Sequence, residues 1–299
     1  MKENKIKHNI EFSNQKGKLE FIRFLLQIYE IQTKKRDDIL RFSQFKDCCQ
    51  TIFSKEETLM LVTSFLTQYF PSLLSVLEEV FQKDMIHFYQ PNETELPSSF
   101  NEENLAACVY ENNQYCVYLP LTNTIIDGSN FIHEFMHLTN LEGETEEFYY
   151  IHEIIPFLMD QLFQDFLAKH QIGTKEEREL LSLENHYNSF YLNDMLIRED
   201  SAYCDSEATI RLISHTLALV VSSYLLETKE KEILYENLLE WNEDSSYQFT
   251  YEFMESLGLM MQEKNGVLVF TKDSLNLLFH CYQKSFEKSG CYQKEKKKI

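Results

Sequence analysis

The sequence has few of the residues that interrupt regular secondary structure. Its 299 residues include only 7 glycines and 5 prolines. A chain so poor in turn formers favours long helices. The hydrophobic share of 43% and the aromatic share of 14% supply enough apolar material for a sizeable core, which speaks against disorder.

Paired cysteines are also missing. The seven cysteines are odd in number and scattered, and no two of them form a C-x-x-C pair. This pattern fits reduced thiols and not a disulfide framework. The first 18 residues are polar and contain no apolar stretch, so no secretory signal is predicted. We therefore expect a cytoplasmic location.

Long apolar runs and positive charge are scarce as well. The longest apolar run, around 217–226, is too short to cross a bilayer, so no membrane association is expected. The 48 acidic residues outnumber the 28 basic ones and give a net charge of −20. A polyanion repels phosphate backbones, which argues against nucleic acid as a partner. Nothing in the sequence indicates an oligomeric state.

Hydrophobic periodicity predicts a mainly α fold with a small β-hairpin. We expect an N-terminal helical segment over 1–57, a main domain over 58–290 and a basic, solvated tail over 291–299. The hairpin comprises 107–110 and 115–120, and a further short strand covers 266–270. Asp127 or Ser129 is expected to cap the helix that follows the hairpin. The predicted helices are 19–31, 37–53, 56–70, 72–82, 131–140, 148–167, 177–183, 195–200, 212–227, 230–241, 249–262 and 274–287.

An H-E-x-x-H motif lies in the apolar helix over 131–140. His133 and His137 are four residues apart, so both lie on one face of a helix and can bind one metal ion. Glu134 is placed to act as a general base on a metal-bound water. The alternative is a core helix in which both histidines have ordinary hydrogen-bond partners.

Two acids in the next apolar helix complete the candidate site. Glu153 and Asp160 are seven residues apart and therefore share a helix face. Buried carboxylates need a compensating partner, so we predict Glu153 as the third zinc ligand. Asp160 could accept a hydrogen bond from the free ring nitrogen of a ligating histidine. The alternatives are that both acids face solvent, or that His152 is the ligand, which its direction on the helix disfavours.

These motifs resemble the thimet oligopeptidase and oligoendopeptidase F family of zinc metallopeptidases. The resemblance covers about 58–290 and rests on the hairpin, the H-E-x-x-H helix, the N-x-x-x-D segment Asn123–Asp127 before it, and the acid pair after it. It implies a helical, zincin-like domain with one zinc ion that cleaves short peptides in a deep channel.

The sequence departs from this family at several positions. Met136 occupies the position of the family's glycine, and Asn140 that of its third histidine. The segment 205–211, which precedes the late apolar helix, has no tyrosine to stabilise the oxyanion; Tyr203 and His215 are the nearest substitutes. Two alternatives to a zinc peptidase of short peptides therefore stay open: a degenerate relative that binds zinc or peptide without cleaving, and a helical interaction protein without metal.

Overall fold

The computed structural model describes residues 15–90, 106–111, 114–139, 153–190, 207–229, 257–264 and 267–288. Helices account for 71% of the residues that can be interpreted, so the fold is mainly α, as predicted. The predictions for 195–200, for 230–241 and for the tail over 291–299 fall outside the described residues, as do those for His152 and Tyr203. None of the helices in the described ranges is both long and apolar enough to span a membrane.

The helices are numbered in chain order. They are α1 (Gln15–Lys34), α2 (Arg36–Leu40), α3 (Phe45–Cys48), α4 (Lys55–Tyr69), α5 (Leu73–Gln82), α6 (Ile126–Thr139), α7 (Ile154–Lys169), α8 (Lys175–Leu181), α9 (184–190), α10 (Glu207–Thr228) and α11 (Lys272–Lys288). A short 3₁₀ helix, Arg41–Gln44, separates α2 from α3. The strands are β1 (Ile86–Tyr89), β2 (Ala107–Glu111), β3 (Gln114–Pro120), β4 (Met261–Lys264) and β5 (Val267–Phe270).

The single helix predicted over 37–53 is wrong. Its place is taken by α2, the 3₁₀ helix and α3, and the chain becomes extended at Cys49. The buried carboxylate of Glu177 binds the next residues, since its Oε1 accepts from the backbone nitrogens of Gln50 at 2.7 Å and Thr51 at 2.8 Å. These long-range bonds replace the local bonds that a continuing helix would have made.

The predicted hairpin is confirmed, and a third strand joins it. β2 pairs antiparallel with β3, with Ala107 opposite Tyr118. The sequence analysis missed β1, which pairs parallel with β3 on its other side, with Ile86 opposite Val117. The sheet order is therefore β1-β3-β2, and the sheet packs against α6.

A second, two-stranded sheet corrects another helix. The strand predicted over 266–270 is confirmed as β5, but its partner β4 lies at the end of the segment predicted as a helix over 249–262. Within that segment, Gly258 has a φ of 83°. This left-handed backbone conformation suits glycine and does not occur inside a right-handed helix.

The helices α6 and α7 pack antiparallel at the centre of one continuous apolar core. Gly128 at the start of α6 allows this close approach, because an added Cβ would lie 2.9 Å from Cζ of Phe163 in α7. Pro156 lies in the first turn of α7, as expected for a proline that marks a helix start. A hydrogen bond also joins α7 to α10, since Gln161 Nε2 donates to Ser222 Oγ over 2.6 Å.

The predicted cap of the helix that carries His133 and His137 is wrong, because α6 begins at Ile126 and includes both Asp127 and Ser129. The carboxylate of Asp127 instead accepts from the backbone nitrogens of Thr122 and Asn123, on the loop before the helix. It also accepts from the Thr122 hydroxyl over 2.6 Å. Asp127 therefore orients the connection between β3 and α6 and so sets the direction of the helix that carries the histidines.

Candidate metal centre

The face of α6 that packs on α7 carries both histidines of the motif. Their rings lie one turn apart, with centroids separated by 5.0 Å. The other faces of α6 are filled by Phe131, Ile132 and Phe135, which are all buried. The helix is thus held on several sides by apolar packing, and its two imidazoles project into a polar site inside the core.

The structure brings Glu153 to the same point from the residue before α7. The side chains of His133, His137 and Glu153 are 17%, 11% and 10% exposed. His133 Nε2 lies 3.2 Å from Glu153 Oε2, His137 Nε2 lies 3.5 Å from the same oxygen, and the two Nε2 atoms are 3.3 Å apart. Three potential ligand atoms therefore form a nearly equilateral triangle.

This triangle has the dimensions of one face of a zinc site. A tetrahedral zinc ion with bonds of about 2.0–2.1 Å holds its ligand atoms about 3.3 Å apart. The donor set of two imidazole nitrogens and one carboxylate oxygen is that of a catalytic zinc with a fourth position left for water. The residues present therefore fit a zinc ion.

Asp160 makes the contact expected from its spacing to Glu153. Its Oδ2 accepts from His133 Nδ1 over 2.9 Å. In the neutral ring, a carboxylate on Nδ1 keeps the proton there, so Nε2 carries the lone pair and faces the ligand atoms of His137 and Glu153. Asp160 is buried at 4% exposure, and its Oδ1 has no hydrogen-bond partner among the described residues.

The carboxylates around His133 favour a positive charge at this point of the structure. Burial alone would lower the pKa of His133, but the carboxylates of Asp160 and Glu153 outweigh burial and raise it well above the usual histidine value. Burial likewise opposes ionisation of Glu153, yet the histidines His137 and His215 bring its pKa well below the usual range. A bound cation would be stabilised by the same carboxylates.

Glu134 follows the first histidine and is itself buried at 8% exposure. Burial raises the pKa of its carboxyl, and Glu153 and Asp160 raise it further, while His133 and His137 oppose the rise. A raised pKa makes a carboxylate a stronger base, which suits a group that accepts a proton and returns it.

Sequence reasoning placed His215 only as a weak candidate, and the structure puts it at the site. Its Nε2 lies 3.7 Å from Glu153 Oε1, and its ring meets Phe157 edge-on at 5.3 Å between centroids. His215 comes from α10, which packs along α7. It is therefore the third histidine at this centre, although it follows Glu153 by 62 residues along the chain.

Two residues of α9 were missed altogether. Asn185 Nδ2 contacts Asp160 Oδ2 at 3.5 Å. Glu184 lies near the same carboxyl: burial, followed by the charge of Asp160, raises its pKa to about 8. The only signal in the sequence is a polar pair, Glu184-Asn185, at the start of a helical segment, and such pairs are common on surfaces.

Comparisons with known proteins add no relative to this description, since no family model, no curated protein and no solved structure matches the chain. The geometry of the described residues therefore carries the argument about function.

Proposed function

We propose that this chain is a zinc-dependent metallopeptidase that hydrolyses short peptides, a short and divergent protein similar to the thimet oligopeptidase and oligoendopeptidase F family. The observation that carries the proposal is the triangle of His133, His137 and Glu153 ligand atoms, with edges of 3.2–3.5 Å. The buried acid Glu134 next to it supplies the remaining group that metal-assisted hydrolysis needs.

The roles of the residues follow from their positions. His133, His137 and Glu153 would hold one zinc ion, which when bound lowers the pKa of water and polarises a carbonyl oxygen. Glu134 accepts the proton of the attacking water and passes it to the leaving amine. Asp160 keeps His133 oriented. His215, whose Nε2 lies 3.7 Å from Glu153 Oε1, is the side chain that we assign to donate a hydrogen bond to a developing oxyanion.

The sheet beside α6 suggests how a peptide would lie. β2 pairs with β3 on one side, and no described strand pairs with its other side. Both strands pack against α6, and Tyr110 on β2 is 59% exposed. An extended peptide could add to the β2 side of this sheet through main-chain hydrogen bonds. This arrangement supports a peptide as the substrate class.

The experiment compares zinc content and cleavage of a quenched pool of short peptides at neutral pH. The purified parent should contain one zinc per chain and cleave. Glu134→Gln keeps the shape but removes the base, so it should retain zinc and lose cleavage by at least about 10²-fold. His137→Ala should lose both zinc and cleavage. Cleavage that survives in Glu134→Gln would exclude this mechanism.

The second candidate function is a degenerate relative that binds zinc or peptide without cleaving. It is favoured by the absence of tyrosine in the segment 205–211, because the side-chain donors that stabilise an oxyanion contribute several powers of ten to such reactions. The same experiment separates the two: a parent with one zinc and no cleavage of any peptide is the degenerate protein. If the parent contains no zinc, the remaining hypothesis is the helical interaction protein without metal.

A further inference from the structure

An amide group from α9 lies against the carboxylate that orients His133. Asn185 is buried at 6% exposure, and its Nδ2 donates to Asp160 Oδ2 over 3.5 Å. The same oxygen accepts from His133 Nδ1 over 2.9 Å. Among the described residues, these are the two side chains that hydrogen-bond to Asp160. A chain of polar contacts therefore runs from α9 through α7 to the metal-facing histidine of α6.

Asp160 needs such a donor because its surroundings disfavour its negative charge. It is buried and lies near the acids Glu153 and Glu184. Its Oδ1 has no hydrogen-bond partner among the described residues, so the contacts of Oδ2 with His133 and Asn185 are the ones that orient the carboxylate. A carboxyl group that loses its orientation would hold the imidazole proton less firmly.

An uncharged donor suits this position better than a cationic one. A lysine or arginine here would also stabilise Asp160, but it would add a positive charge behind His133 and repel a bound cation. A leucine would leave the carboxylate with one donor fewer in a buried environment. The amide of Asn185 stabilises the carboxylate without changing the net charge of the centre.

We propose that Asn185 is a positioning residue of the metal centre, which holds Asp160 in the orientation that directs His133 Nε2 towards the metal. The inference rests on the proposed metal site, but it does not depend on peptide cleavage. It extends the centre to α9, so that α6 and the residue before α7 supply the ligands, α7 supplies the orienting carboxylate, and α9 holds that carboxylate in place.

The test measures the zinc affinity of Asn185→Leu by competition with a chelating dye at constant pH. We expect the dissociation constant to rise on the order of threefold to tenfold, below the 10–100-fold typical of groups that contact a ligand directly. Asn185→Ala is measured in parallel, because it adds no bulk at the helix interface. The matched control is Ser189→Ala, one turn later in α9, where a buried hydroxyl contacts Gln32 and Thr216 over 3.2 Å each. It should lower the stability of the fold and leave zinc affinity unchanged.

A double-mutant cycle shows whether Asn185 acts through Asp160. In an Asp160→Ala background, Asn185→Leu should have no further effect on zinc affinity, because the carboxylate on which it acts is gone. The visible absorption of the cobalt(II)-substituted protein gives a second readout, since it reports the arrangement of the ligands. It should change in Asn185→Leu and not in Ser189→Ala.

The outcomes separate this inference from the proposed function. Equal zinc affinity in the parent and in both Asn185 variants overturns the positioning role. The role is also overturned if Asn185→Leu weakens zinc binding by the same factor in the presence and in the absence of Asp160. A parent that binds zinc and cleaves no peptide overturns the peptidase alone and leaves the role of Asn185 intact. A parent that binds no zinc overturns both.

Discussion

Replacing Asp160 by alanine removes the described carboxylate that contacts Nδ1 of His133, the ring nitrogen directed away from the proposed metal. The contact is 2.9 Å long and buried, so solvent cannot substitute for it without entering the core. Without the carboxylate, the Nδ1 proton of His133 loses its acceptor, and the ring is free to change its tautomer and its orientation.

The expected loss of zinc affinity is on the order of 10–100-fold, which is typical when the hydrogen-bond acceptor of a ligating histidine is removed. Because each factor of ten corresponds to about 1.4 kcal/mol, this loss is about 1.4–2.8 kcal/mol of binding free energy. The neutral variant Asp160→Asn retains the shape and one acceptor oxygen. It should therefore fall between the parent and Asp160→Ala.

The measurement is a zinc titration in competition with a chelating dye at neutral pH and fixed ionic strength. The protein carries a net charge of −20, so any lost acid reduces the general attraction for a cation. Asp165→Ala controls for this effect, because Asp165 lies on the exposed face of the same helix. Its affinity should differ from the parent's by less than about threefold, since exposed charges are screened by salt.

Zinc affinity in Asp160→Ala that equals the affinity of Asp165→Ala would refute the reasoning. Asp160 would then contribute to the site only as one more negative charge, and the orientation of His133 would have to come from elsewhere. A thermal melt of the metal-free variants accompanies the titration, so that loss of folding is not mistaken for loss of a ligand.

Three further predictions follow from other contacts. The raised pKa keeps a proton on His133, and zinc must displace this proton to bind. Zinc affinity should therefore rise by about tenfold per pH unit while His133 is protonated, and a zinc affinity that does not change with pH would contradict this. The donors on Glu177 outweigh burial and lower its pKa below the usual 4.5. The stabilisation that Glu177 gives the fold is therefore complete above about pH 4.5 and is lost as the pH falls through the lowered pKa. Glu177→Gln should reduce the urea-measured unfolding free energy by about 1–3 kcal/mol at pH 7, with a difference that shrinks in acid. Gly128→Ala should destabilise the fold by about 1–2 kcal/mol, because overpacking against Phe163 exceeds the gain in helix propensity; a higher melting temperature would contradict it.

Local spacing along the chain was enough to predict part of the centre. The four-residue separation of His133 and His137 and the seven-residue separation of Glu153 and Asp160 each define one face of one helix, and a helix face depends only on its own 3.6-residue period. The contacts of Glu153 with both histidines and of Asp160 with His133 are present as expected from those spacings. The boundaries of α4, α5 and α11 also agree with their periodicity to within about two residues.

Long-range contacts decided the rest. The segment 49–53 is not helical because Glu177, more than 120 residues away, accepts the backbone hydrogen bonds of Gln50 and Thr51. β1 pairs with β3 across an interval that periodicity cannot bridge. His215 and Asn185 reach the centre only because α10 and α9 pack against α7, and neither residue has a neighbour in sequence that marks it. A short polar side chain gains its role from what lies opposite it, and that is set by the packing of helices and not by its position in the chain.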